Sequence, residues 1–86
     1  MLIRLAYMGH GYHLAEQLPE QVEVPDSADV TLALKVVQQV APGSFTLSPT
    51  CLVIVNGKHL GTVARCESCV LCAGDELALL APVAGG

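Results

Sequence analysis

The run Cys51-Leu52-Val53-Ile54-Val55 is continuously apolar and rich in β-branched residues, and Asn56-Gly57 follows it directly. Branched side chains favour extended backbone, and Asn-Gly is the dipeptide most typical of a tight turn between antiparallel strands. The run therefore predicts a strand that ends in a hairpin turn, with His59-Leu60 beginning the returning strand. Any fold of this chain has to provide a sheet around that strand.

Two earlier segments alternate apolar and polar residues, which is the pattern of a strand with one buried face. In residues 2–7 the apolar side chains of Ile3, Leu5 and Tyr7 share one face, and residues 21–24 repeat the alternation. We expect these segments to form two antiparallel strands at the start of the chain.

A last strand is predicted over residues 76–80, after the turn Gly74-Asp75. We expect it to lie in the centre of the sheet, with Leu77 and Leu79 in the core. Leu80 and Ala78 should face outward and form, with Val53 or Val55, an apolar surface on which a partner docks. Pro82 cannot donate to a sheet and should end the strand.

One amphipathic helix is predicted between these strands. Asp29 is the preferred N-cap, since its carboxylate can accept from a free amide of the first turn. The residues that follow place an apolar stripe on one side of the helix. The stripe comprises Val30, Ala33, Leu34, Val37 and Val40. The element order β-β-α-β-(β)-β is that of an α+β fold.

The composition limits the classes of function. A chain of 86 residues makes one domain, 52% of it apolar, and a net charge of −4 disfavours nucleic acid and anionic membrane as partners. Only three residues are aromatic, so base stacking is not expected either. We see no secretory signal and no apolar stretch long enough to cross a membrane, and we therefore expect a cytoplasmic protein.

The cysteines form a second candidate site. Cys66, Cys69 and Cys72 recur at every third residue, and Cys51 or His59 could complete a tetrahedral zinc site. A redox or persulfide role fits the same spacing, and so does simple packing of small apolar side chains. Disulfides are not expected in the cytoplasm. We do not favour zinc and expect no bound cofactor.

The turn Val55-Asn56-Gly57-Lys58 and the ending GDELALLAPVAGG, residues 74–86, together resemble the MoaD/ThiS sulfur-carrier proteins. The resemblance implies a ubiquitin-like β-grasp fold, in which one main helix packs across a mixed sheet of about four to five strands. It also implies a β-grasp domain over residues 1–81 and a flexible Gly-Gly tail over residues 82–86.

In this family a ubiquitin-activating-type adenylyltransferase uses ATP to adenylate the terminal carboxylate, and a sulfur donor enzyme then allows its conversion to a thiocarboxylate. By resemblance, Gly86 bears the adenylate and then the thiocarboxylate, and Gly85 leaves clearance in a narrow channel. The carrier is then not an enzyme on its own. The expected partner-binding residues are Leu80, Pro82, Val83, Ala84 and Val53.

The ending Pro-Val-Ala-Gly-Gly resembles the small subunit of molybdopterin synthase more than the thiamine-pathway carrier. The large subunit of molybdopterin synthase is therefore the expected acceptor, with thiazole synthase as the alternative. Three other functions stay open at this point. They are a carrier for thiamine or another sulfur pathway, a ubiquitin-like modifier joined to lysines through Gly86, and a small metal-binding module built on the cysteines.

Overall fold

A computed structural model describes residues 1–8, 19–40 and 49–81 of the chain. Within these ranges the elements are β1 (Leu2–Met8), β2 (Gln21–Glu23), α1 (Val30–Val40), β3 (Leu52–Val55), β4 (Lys58–Thr62) and β5 (Glu76–Leu80). The strands form one sheet in the order β2-β1-β5-β3-β4. The predicted α+β class is confirmed. In the same ranges, no helix has the length and apolarity needed to cross a membrane.

The last strand occupies the centre of the sheet, as predicted. β5 pairs in parallel with β1, which sets Leu77 level with Leu5, and antiparallel with β3, which sets Leu77 level with Val55. β1 and β2 are antiparallel, also as predicted. The face that carries these three residues is buried in one core with α1.

The helix begins as its sequence indicates. The amide of Leu32 donates to Oδ1 of Asp29 at 2.8 Å, which is the N-cap bond. The residues of α1 that the core buries are Val30, Ala33, Leu34 and Val37. The predicted place of Val40 in this stripe is wrong, because its side chain is 47% exposed. Val40 is the last residue of α1, so the buried part of the stripe ends at Val37, about one turn earlier.

The β3–β4 hairpin is closed by a turn that needs left-handed backbone. Asn56 has φ of 50° and Gly57 has φ of 83°, as a type I′ turn requires. Asn56 also ties this turn to the central strand. The backbone amide of Asn56 donates to the carbonyl of Glu76 at 3.0 Å. The side-chain Oδ1 of Asn56 accepts from the backbone amide of Glu76 at 2.9 Å.

Gly61 lies near the end of β4, just before a second turn over residues 62–65. The amide of Thr62 donates to the carbonyl of Arg65, and Gly61 pairs with Cys66 as an isolated bridge. Gly61 has φ of 130°, and a Cβ added there would overlap the carbonyl oxygen of Arg65. Only glycine fits this position without a shift of the neighbouring backbone.

Gly61→Ala is therefore expected to lower the free energy of unfolding by about 3 kcal/mol, since backbone strain and a backbone overlap add together. Urea denaturation followed by circular dichroism measures this loss. The matched control is Gly74→Ala, because Gly74 also has positive φ, at 84°, but a Cβ there would meet no atom within 4 Å. The control should lose only about 1 kcal/mol. Equal losses in the two variants would show that the overlap is relieved without cost.

The turn before β5 depends on an ionised carboxylate. Oδ2 of Asp75 accepts from the amide of Cys72 at 2.8 Å. This bond, and a second hydrogen bond with the side chain of Asn56, hold the pKa of Asp75 below its usual value. A carboxylate with a lowered pKa contributes stability above its unfolded pKa of about 3.9, and the contribution is lost as the pH falls through the folded pKa.

We expect Asp75→Asn to flatten the acid end of the stability curve. Unfolding in urea at pH 7 and at steps below pH about 4 should show a smaller decrease for the variant than for the unchanged protein. Asp26→Asn is the control, because the carboxylate of Asp26 accepts from the N-terminal ammonium group of Met1 and not from the backbone of this turn. An acid decrease of the same size in Asp75→Asn would contradict a contribution from this carboxylate.

Candidate functional site

The two faces of the sheet differ in what covers them. Where α1 packs, most of the side chains are buried, whereas the other face carries an apolar area that is only partly shielded. We call this area the sheet patch. It consists of Ala6, Met8, Leu52, Ile54, Ala78 and Leu80. Alternation along each strand produces it, since every second residue of β1, β3 and β5 points away from the helix.

Strand register aligns the patch in two rows across three strands. Met8, Leu80 and Leu52 are level with one another at the end where β5 finishes. The next row sets Ala78 level with Ala6 and Ile54. The first row is the more accessible, and Met8 is 49% exposed.

Polar residues border the patch. Arg4 and Glu76 are level with each other one row further from the end of β5. On β4, His59 is level with Ile54 and Thr62 with Leu52. An apolar centre with a polar rim is the usual composition of a protein–protein contact surface.

The described chain leaves the sheet at the edge of this patch. The amide of Ala81 donates to the carbonyl of Met8 at 2.8 Å, and Ala81 is buried. Residues 82–86 therefore begin from a fixed point next to the most accessible row. The predicted site residues Pro82, Val83, Ala84, Gly85 and Gly86 lie outside the described residues, and their roles stay predictions.

Of the expected docking residues on the strands, Leu80 lies in the sheet patch and Val53 does not. Val53 is 0% exposed and is level with Leu79 on the core face, so its expected place on a docking surface is wrong. Val55 is buried on the same face. Because β3 is apolar at every position, its sequence holds no alternation that identifies the outward residues. Pairing with β5 identifies them as Leu52 and Ile54.

Ala78 does lie on the outer face, as expected, but it is only 6% exposed. Its single methyl group stands on the central strand, level with residues of both neighbouring strands. It therefore contributes to the floor of the patch and not to its accessible area.

The structure does not gather the cysteines and His59 into one site. Cys51 is buried beneath the sheet, and burial raises the pKa of its thiol. Cys66 and Cys69 are half-buried, and Cys72 is exposed on the turn before β5. Across the described ranges, no three His, Cys, Asp or Glu side chains lie together as a metal site would require. The zinc arrangement thus has no support in this geometry.

In the part of the chain that the structure describes, five strands form a mixed sheet whose central strand comes last, and one helix packs across a single face, as in the ubiquitin-like β-grasp arrangement. The crystal structure of SAMP1 from Haloferax volcanii is similar over 100% of both chains, with a TM-score of 0.70 and 25% sequence identity. The predicted β-grasp fold is thereby confirmed. No curated protein sequence matches the chain.

The model of the ThiS family matches residues 6–86, and the chain belongs to that family. The protein is thus a ubiquitin-like sulfur carrier of the ThiS/MoaD type, as its sequence indicated. Small carriers of this type are generally not enzymes themselves. They generally work with activating enzymes and sulfur-transfer partners.

Proposed function

We propose that this protein carries sulfur as a thiocarboxylate on Gly86 and delivers it during molybdopterin synthesis. The observation that supports the proposal most directly is the anchoring of Ala81 to Met8 at the edge of the sheet patch. For a partner that docks on the sheet patch, the position of Ala81 fixes where residues 82–86 begin. The match to the ThiS family extends through those residues to position 86.

The chemistry requires activation from outside the carrier. A carboxylate is a poor electrophile, and an ATP-dependent adenylyltransferase overcomes this by attaching a leaving group to Gly86. A sulfur donor enzyme then supplies the nucleophile that displaces AMP. The product is a thiocarboxylate, whose nucleophilic sulfur is attached to a protein that the acceptor can recognise. We expect these steps in the cytoplasm, where ATP is available.

In this proposal the last five residues extend the reactive carboxylate of Gly86 from the domain to the active site of the acceptor. Residues 82–86 span at most about 17 Å when fully extended. In a productive complex the acceptor's reactive centre should therefore lie within about 17 Å of the place where Ala81 rests. Gly85 and Gly86 lack side chains and would pass through a channel that excludes larger residues.

The choice of molybdopterin synthesis rests on the ending Pro-Val-Ala-Gly-Gly. In this proposal the large subunit of molybdopterin synthase is the acceptor. Thiazole synthase is the acceptor if the protein instead serves the thiamine pathway. The family model does not separate these two outcomes, so the acceptor has to be tested directly.

The test is a reconstitution with purified components. The carrier is incubated with a ubiquitin-activating-type adenylyltransferase, ATP and a sulfur donor, and its intact mass is measured. We expect a mass gain that corresponds to the exchange of one oxygen for one sulfur at the C-terminus. The loaded carrier is then offered to the large subunit of molybdopterin synthase or to thiazole synthase.

Product formation only with the first acceptor supports the proposal in full. Product only with thiazole synthase keeps the carrier function and overturns the molybdopterin assignment. A carrier that never gains sulfur, or one that becomes linked to lysines through Gly86, overturns the thiocarboxylate proposal.

A further inference from the structure

A groove runs along the helix side of the molecule, on the opposite face from the sheet patch. It lies between α1 and the turn that follows β4, and its volume is about 220 Å³. Its lining combines an apolar wall with polar and charged groups. The lining residues are Thr31, Leu34, Lys35, Gln38, Val63 and Cys66. A thiol and an ammonium group thus line the same concave surface, which is smaller than the pockets of about 300–1,000 Å³ that hold drug-sized ligands.

The surroundings of the other three cysteines suit a reactive thiol less well. Cys51 is buried in the core, where no reagent reaches it. Cys69 is half-buried like Cys66, but its thiol lies 3.7 Å from the carbonyl of Val70, and Cys69 is not part of the groove lining. Cys72 is exposed, but its amide binds the carboxylate of Asp75, which places a negative charge beside it. In the part of the chain that the structure describes, Cys66 lines a groove to which Lys35 contributes a cation.

Charge in and around the groove favours an anionic ligand. Arg65 and Glu67 flank Cys66 in the sequence with opposite signs, so their charges offset each other. Lys35 is exposed and adds a positive charge to the groove itself. On a protein whose net charge is −4, a carboxylate-bearing molecule finds few other cationic places, since the chain has only four basic residues.

We propose that this groove binds small disulfides that carry a carboxylate, and that the Cys66 thiol exchanges with them. The carboxylate pairs with the ammonium group of Lys35, and the aliphatic part of the ligand rests against Leu34 and Val63. The Cys66 thiolate attacks the nearer sulfur of the ligand. A new sulfur–sulfur bond forms, the ligand's own bond breaks, and the departing thiolate takes up the proton that Cys66 lost.

The exchange needs no further oxidant. Cys66 is oxidised to the mixed disulfide, and one half of the ligand is reduced to a free thiol. The site is separate from the proposed carrier chemistry, because it uses neither the sheet patch nor residues 82–86. It would let small disulfides modify the helix side of the carrier while the delivery face stays unchanged.

The test compares two disulfides that differ in charge, dithiodipropionate and bis(hydroxyethyl) disulfide, each added to the full chain at low salt. Intact mass gives the rate of adduct formation, and peptide mapping gives its position. We expect Cys66 to react first and to prefer the carboxylate reagent by about threefold, the effect of one partly screened ion pair. Cys66→Ser should remove the fast adduct.

Two lysine variants distinguish an effect of the charge in the groove from an effect of the protein's net charge. Lys35→Gln should abolish the preference for the carboxylate reagent, whereas Lys58→Gln makes the same change of charge on β4, outside the groove, and should keep most of it. Equal effects of the two variants, or Cys72 reacting first with no charge preference, would overturn the proposal. Deleting Gly86 should leave the rate unchanged, so failure of the carrier function and failure of this site are distinguishable.

Discussion

Deleting Gly86 is expected to abolish thiocarboxylate formation completely while leaving the melting temperature unchanged. The carboxylate would then sit on Gly85, one residue short of the position that the activating enzyme has to adenylate. Stability should not change, because the deletion leaves the described core and the hydrogen bond from Ala81 to Met8, five residues upstream, in place. Intact mass after reconstitution measures the first effect, and thermal unfolding measures the second.

Val83→Ile is the matched control for this deletion. It also changes the end of the chain, but it keeps an apolar β-branched side chain at this expected partner-binding position, the length and both terminal glycines, so it should still acquire sulfur. A fall in melting temperature on deleting Gly86 would mean that the end of the chain is part of the folded core. Sulfur loading at a normal rate without Gly86 would mean that the reactive carboxylate need not be at this position.

Met8→Lys is expected to weaken sulfur delivery to the acceptor by about tenfold or more. The substitution places a charge in the most accessible row of the sheet patch. Docking would bury that charge without a partner, and such burial commonly costs more than one factor of ten in affinity. The measurement is the concentration of loaded carrier that gives half-maximal product formation. The folded state should tolerate the change, since Met8 is 49% exposed.

Leu2→Lys provides a close control on the same strand. Leu2 belongs to β1, points to the same face and is 51% exposed, but it lies at the opposite end of the strand and outside the patch. It is level with Glu23, whose carboxylate can accept the new ammonium group. Leu2→Lys should leave delivery unchanged. If the two variants weaken delivery equally, the partner does not dock at the end of β5.

The predictions that the structure confirms rest on local chemistry. Asn56-Gly57 specifies its turn because those two residues adopt left-handed backbone at little cost. Asp29 specifies the helix start because a carboxylate can accept from the free amides of the first turn. The central place of β5 was predicted from the order of the elements along the chain, and the pairing of β5 with both β1 and β3 confirms it.

The predictions that failed depend on which way a side chain points in three dimensions. β3 is apolar at every residue, so nothing in its sequence separates Val53, in the core, from Leu52 and Ile54 on the outer face. That separation comes from register with β5, which is a contact between segments far apart in the chain. For the same reason the groove around Cys66 was invisible, because its walls come from α1 and from the turn after β4.

Parallel pairing of β5 with β1 also has a mechanical consequence. If a partner draws residues 82–86 into its active site, as proposed, the pulling force would enter the central strand along its own axis. The hydrogen bonds of β5 to β1 and β3 would then be loaded in shear, so that they share the load and do not open one after another from an end. We therefore expect the sheet to resist unravelling when the chain is pulled by its C-terminus.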